Sequence, residues 1–130
     1  MIAAPLVALL LGEAASTVAK SAFDRPRPPL QFREVHVSLA AFPSGHATEA
    51  AACLLATALT LSLTVARRRW VRVALLAAAL TLAGLVGISR LVLAVHWLSD
   101  VVAGWALGTA TALTVVTVLW WFAARQAARP

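Results

Sequence analysis

The sequence predicts an all-α, integral-membrane helical bundle of about four transmembrane helices, on three observations. Of its 130 residues 62% are hydrophobic, and a mean hydropathy of +0.87 is well above that of a chain that folds in water. The apolar residues gather in four runs, 2–19, 47–66, 71–88 and 98–122. Each is long enough, or nearly so, for a hydrocarbon core that takes about 20 helical residues to cross. The basic residues sit between those runs, with no basic face interleaved with aromatics. The net charge of +6 therefore reads as membrane topology, with no nucleic-acid partner.

Taken in order, the first run has no basic residue before it and is interrupted by Glu13, which argues for a spanning helix over a signal peptide. Pro26, Pro28 and Pro29 then make a loop of residues 24–29, because proline lacks a backbone donor and disfavours helix in the residue before it. Residues 30–41 are mixed, too short and too polar to span, and are expected to run along the membrane surface. Pro43 and Ser44 open the second helix, with Ser44 as its N-cap. Arg67, Arg68, Arg69, Trp70, Val71 and Arg72 form a basic connector. The third helix is expected to end near Ser89, with a blurred boundary through 91–97 before the fourth. Gly104 and Gly108 form a GxxxG spacing that suits close helix packing, within the chain or at a dimer seam; oligomeric state stays open. Cys53 is the only cysteine, so an intrachain disulfide and a cysteine-based metal site are both excluded. The chain, 1–130, reads as one domain with the bilayer as its surroundings.

Four crossings put the arginine connector, Arg125 and Arg129 on one side, and Lys20, Arg25, Arg27, Arg33 and Arg90 on the other. A raw count barely orients the chain. Setting aside Lys20, Arg27 and Arg90 as site residues leaves six basic residues against two. That favours a site on the extracytoplasmic face of the cell membrane.

The same topology returns the chain to one face three times: after helix one, before helix two, and between helices three and four. The polar residues collect at those places: Lys20 with Arg27, Ser44 with His46, then Ser89, Arg90, His96 and Asp100. Charged groups near hydrocarbon are costly, so their concentration at one end points to a site. Three cations and a helix start suit an oxyanion of two or three negative charges, with phosphate the obvious candidate. Gly45 lets backbone approach the ligand closely, and the Ser44 hydroxyl adds a donor. His96 and Asp100 are spaced i, i+4, which in a helix puts both on one face. The carboxylate would then hold one imidazole nitrogen and free the other for attack. His46 is left as the acid and base.

Two histidines and an aspartate could also form a facial metal triad, but three cations in one pocket would repel a divalent ion, so no metal and no cofactor is expected. Ser44 as nucleophile with His46 and Asp100 is disfavoured, because so cationic a site suits phosphoryl chemistry better than acyl transfer. Glu13 shares a helix face with Lys20 and, like Glu49, reads as a counter-charge inside an apolar helix. Arg25 reads as a solvated loop arginine.

These residues resemble the type 2 phosphatidic acid phosphatase (PAP2) superfamily, which also includes vanadium haloperoxidases and glucose-6-phosphatase. Lys20, Arg27 and Pro28 fit its K-x6-R-P motif, Pro43 to His46 fit P-S-G-H, and Ser89, Arg90, His96 and Asp100 fit S-R-x5-H-x3-D. The resemblance implies that Lys20, Arg27, Ser44, Gly45 and Arg90 bind phosphoryl oxygens and that His96 forms a phosphohistidine. It further implies that Asp100 orients His96, that His46 serves as acid and base, and that no metal takes part. The implied activity is hydrolysis of a membrane lipid phosphate or pyrophosphate, such as phosphatidic acid or undecaprenyl pyrophosphate, with headgroup selectivity from residues 30–42. Phosphate transfer to an acceptor other than water and a catalytically silent membrane subunit are the alternatives. A haloperoxidase fits least, because those members are soluble. Membrane members usually have about six spanning helices, so the resemblance implies a core that lacks the first two, either a minimal version or an N-terminally truncated chain.

Overall fold

The computed structural model describes residues 1–32 and 40–128. Within them the chain forms four long helices: α1 (Ala4–Phe23), α2 (Gly45–Thr64), α3 (Arg69–Val92) and α4 (Leu98–Ala127). A single 3-10 turn, Leu30–Phe32, lies between α1 and α2, and no strand occurs among the described residues. All four helices are long and apolar enough to cross a membrane, as the four apolar runs predict. Arg33, Arg129 and most of the stretch expected to lie on the surface and read the headgroup fall outside the described residues.

Local sequence sets the helix ends. Pro5 lies in the first turn of α1, where its missing donor costs nothing. Asp24 ends that helix in the left-handed conformation, φ 36, its N–H donating to Lys20 O at 3.0 Å. Ser44 occupies the N-cap position of α2, as expected, yet its hydroxyl makes no capping bond. The helix starts instead from a tether across the bundle, the Ser44 N–H donating to Asp100 O at 2.9 Å. The third helix continues past Ser89 to Val92, because nothing in 89–92 breaks it. Ala94, at φ 51, then reverses the chain. A left-handed alanine costs roughly 1–2 kcal/mol, and here it accompanies burial of Val95 and His96, 2% and 6% exposed.

Packing is by small residues inside and large ones outside. Ala4, Ala8, Gly12 and Ser16 are the buried residues of α1, a stripe of period four that continues to Lys20. At Gly12 an added Cβ would lie 3.2 Å from Ala52 Cβ of α2. The core is mostly alanine, Ala52, Ala56, Ala79 and Ala112 among them, filled in by Leu55, Val115 and Val116. Large side chains such as Leu10, Leu63, Leu82 and Trp120 are exposed. Lipid is as apolar as leucine, so close backbone approach through small residues stabilises the bundle more than burying large ones does.

Half of the α2 span is buried, against 33% of α4 and 17% of α1 and of α3, so α2 is the central helix. Gly104 and Gly108 face it. A Cβ at Gly104 would sit 2.7 Å from Ser44 O, and one at Gly108 would sit 2.8 Å from Ala51 Cβ and run into the Thr48 carbonyl. The GxxxG spacing thus serves packing within the chain. On the other side, Trp105 of α4 covers Gly87 of α3 and donates its indole N–H to Ala83 O at 3.0 Å.

Candidate active site

The ends of α1 and α3 and the starts of α2 and α4 meet at one end of the bundle, and most of the predicted site residues meet with them. Asp100 is fully buried in the first turn of α4. Its Oδ2 accepts the Trp97 N–H at 2.8 Å, the acidic half of a capping box. Its Oδ1 accepts from Arg25 Nη1 at 2.8 Å.

His96 does not share the α4 helix with Asp100. It precedes the N-cap residue Trp97, so the helical face expected from the i, i+4 spacing does not form. The pair meets for a different reason: Asp100 turns back to cap its own helix, and His96 Nδ1 stands 3.5 Å from Asp100 Oδ2. That distance is long for a hydrogen bond, and Nδ1 has no hydrogen-bond partner among the described residues. We take the contact as an electrostatic approach.

Arg27 holds the other side of the ring. Its Nη1 donates to Val95 O at 2.7 Å and lies 3.2 Å from His96 Nε2. Guanidinium has no acceptor, so Nε2 must present its lone pair and the ring proton must lie on Nδ1, toward Asp100. Burial, then the charge of Arg27, depress the His96 pKa from 6.5 to about 4, against the opposing pull of Asp100. The ring is neutral at neutral pH, with its free lone pair on the side of the cation.

Lys20, at the end of the small-residue stripe of α1, reaches the start of α2. Its Nζ is 2.9 Å from where a Gly45 Cβ would be, with Glu49 Oε1 3.4 Å and Ser16 Oγ 3.7 Å from the same point. Absence of a side chain at 45 is what lets the ammonium touch the α2 backbone. Glu49 lies beside Lys20 at the start of α2 and Glu13 is exposed; neither makes an ion pair within 4.0 Å among the described residues. Ser44 is fully buried, and its hydroxyl has no partner among the described residues. A buried, unpaired hydroxyl is costly and is a donor awaiting an acceptor.

Two predicted residues stand apart from this cluster. His46 is exposed in the first turn of α2 and makes no hydrogen bond among the described residues. Arg90, in the last turn of α3, donates through Nε to Ser89 Oγ at 3.1 Å, and that hydroxyl donates to Val86 O. Among the described residues, its tie to the His96 turn is through backbone, Val95 N donating to Arg90 O at 3.2 Å.

Arg25 is a correction. It is not a solvated loop arginine: Nη1 binds both Asp100 Oδ1 and Ser99 Oγ, at 2.8 and 2.7 Å. Nothing in the local sequence shows this, since the partners are 74 and 75 positions away. The available hint is that Arg25 and Arg27 flank Pro26, which makes an extended segment able to send two arginines to two partners. Among the described residues no group of three His, Cys, Asp or Glu side chains could hold a metal ion.

The arrangement offers a neutral imidazole with a directed lone pair, a carboxylate behind it, and cations with an unsatisfied hydroxyl around it. Such a set can attack and hold an anionic, electrophilic centre.

The sequence matches the profile described as the PAP2 superfamily over residues 2–124. Among solved structures, the crystal structure of a transmembrane PAP2-type phosphatidylglycerolphosphate phosphatase from Bacillus subtilis is similar to this chain. The two are 32% identical, with a TM-score of 0.78 over 85% of this chain. The match covers 55% of that chain, so this chain spans about half its length. No curated protein matches it.

Proposed function

Because this chain belongs to the PAP2 superfamily, we propose that it is a multi-pass membrane phosphatase that hydrolyses a lipid phosphate or pyrophosphate through a phosphohistidine on His96, without a metal. The observation that carries this reading is the bracketing of His96, with Arg27 at Nε2 and Asp100 at Nδ1.

The substrate phosphoryl group takes the place now bordered by Arg27, Lys20 and the Ser44 hydroxyl, with Gly45 leaving room for it and Arg90 turning from Ser89 to join. The Nε2 lone pair forms a bond to phosphorus as the bond to the leaving oxygen breaks. That oxygen takes a proton from His46, and Asp100 stabilises the imidazolium character that develops on Nδ1. Water, giving a proton back to His46, then attacks phosphorus. The N–P bond breaks, inorganic phosphate leaves, and His96 is neutral again. The surrounding cations supply the charge stabilisation that metals supply in other phosphatases.

The similar structure is of a phosphatidylglycerolphosphate phosphatase, which makes that lipid the first substrate to try, beside phosphatidic acid and undecaprenyl pyrophosphate. The surplus of arginine at the far end supports a site facing outside the cytoplasm.

The test is phosphate release in detergent with excess chelator. Turnover of at least one of these lipids, lost in His96→Ala and accompanied by an acid-labile phosphoprotein in wild type, is the expected result. Equal turnover by His96→Ala, or none by wild type, overturns the reading.

A further inference from the structure

The loop that carries Arg27 also carries Arg25, and the two arginines approach opposite ends of one dyad: Arg27 the free nitrogen of His96, Arg25 the outer oxygen of Asp100. The geometry points to Arg25 as a positioning residue, which fixes the Asp100 carboxylate so that Asp100 in turn fixes the ring of His96. It is not a ligand of the phosphoryl group. This rests on the reading of His96 as nucleophile.

The two oxygens of Asp100 have separate duties. Oδ2 must serve both the Trp97 N–H and the imidazole, so the plane of the carboxylate decides whether it faces Nδ1. A single bond to Trp97 N at 2.8 Å leaves the carboxylate free to rotate about that bond. The second anchor, Arg25 on Oδ1 at 2.8 Å, removes the rotation. The 3.5 Å approach of Nδ1 to Oδ2 then leaves the ring only a short distance to close on ionisation.

Arg25 is held to this task from three sides. Its Nη1 is shared with Ser99 Oγ, its carbonyl accepts the Ala41 N–H at 2.8 Å, and the carbonyl of neighbouring Pro26 accepts the Trp97 indole N–H at 3.1 Å. A guanidinium committed to a buried carboxylate is not available to phosphate without exposing that carboxylate to an unpaired state. Both side-chain hydrogen bonds run through one nitrogen, so the fork that distinguishes arginine from lysine is not used in them, although the guanidinium also lies 6.0 Å from the centre of the Trp97 ring, a contact that arginine suits better. A lysine can therefore restore part of the effect.

The experiment compares wild type, Arg25→Gln, Arg25→Lys, Asp100→Asn and the double variant Arg25→Gln/Asp100→Asn. Activity is read as kcat and KM. The His96 Nδ1–H proton is read by 1H–15N NMR of 15N-histidine-labelled protein in micelles, with His96→Gln giving the assignment. Arg25→Gln should lower kcat about 10- to 100-fold, the range of lost outer-shell support to a histidine, with KM within about twofold. Arg25→Lys should recover part of the loss. The double variant should be no slower than Asp100→Asn, because the two residues act through one path. The ring proton should stay on Nδ1, since Arg27 still faces Nε2, but its signal should move upfield or be lost to exchange as the contact with Asp100 loosens.

A rise in KM with kcat unchanged would make Arg25 a substrate ligand, and additive losses would make it independent of Asp100; either overturns the proposal. So does an unchanged Nδ1–H signal in Arg25→Gln. Should wild type release no phosphate from any lipid, the functional reading fails, while the Nδ1–H signal still decides whether Arg25 positions the dyad.

Discussion

Arg27 Nη1 lies 3.2 Å from Nε2 of His96, and Asp100 Oδ2 lies 3.5 Å from Nδ1, so one imidazole stands between a cation and an anion. The cation holds the lone pair and the anion faces the proton. This order is the reverse of an ion-paired histidine, which would be protonated. Burial and the nearer cation keep the ring neutral.

The titration of His96 follows from that relationship. With its pKa near 4 in the fold and 6.5 ordinarily, the unfolded chain binds more protons between those values. Stability therefore rises with pH from about 4 to about 6.5 and levels off above, with respect to this group. Arg27→Gln removes a charge that lowers the value, so the His96 titration should move upward toward 6.5, read by 15N NMR. A titration left in place would mean that Arg27 does not act on the ring.

His46, exposed in the first turn of α2, is expected to matter through the leaving group. His46→Ala should slow a natural lipid phosphate about 10²- to 10⁴-fold, the usual weight of general acid–base catalysis. Phosphorylation of His96 by a substrate with an activated aryl leaving group should be slowed far less, since no proton needs to be given. Equal losses for both substrates in single-turnover phosphorylation would remove His46 from the acid role.

Gly45→Ala places a methyl group 2.9 Å from Lys20 Nζ. Because that atom ends a flexible side chain, the lysine shifts and the helix stays. Vanadate inhibition should weaken several-fold while the melting temperature changes by no more than a few degrees. A large loss of stability would show that the space at 45 belongs to the fold.

Gly108→Ala meets backbone instead, the Thr48 carbonyl and Ala52 N, with Ala51 Cβ at 2.8 Å. Forcing α4 away from α2 should cost about 1–3 kcal/mol, seen as a lower melting temperature in detergent. Gly84→Ala is the control, as nothing lies within 4 Å of its Cβ position. That change should be neutral or stabilising by up to about 1 kcal/mol, through helix propensity.

Much of this was legible in the sequence, because the signals are one-dimensional. Helix length against bilayer thickness gave four spans, and proline and basic clusters marked the turns. The cost of charge in hydrocarbon explains why Lys20, Arg27, Ser44, His96 and Asp100 gather at one end. Where the reading relied on regular spacing it was less secure. His96 and Asp100 meet although His96 is outside the helix, because a capping carboxylate points backward over the chain that precedes it. Ser44 heads its helix without capping it: its hydroxyl makes no capping bond, and its N–H is bound across the bundle to Asp100 O.

What the sequence determined by itself is which residue types lie at the polar end of an all-helical membrane bundle, since burial cost and helix length are properties of each segment alone. The tertiary structure alone decided how they pair. Arg25 is on Asp100, Arg27 is on His96 Nε2, Lys20 is over Gly45, and Arg90 is turned to Ser89. Those choices depend on distances between segments far apart in the chain, set when the small-residue faces of α1 and α4 close on α2, and no local pattern encodes them.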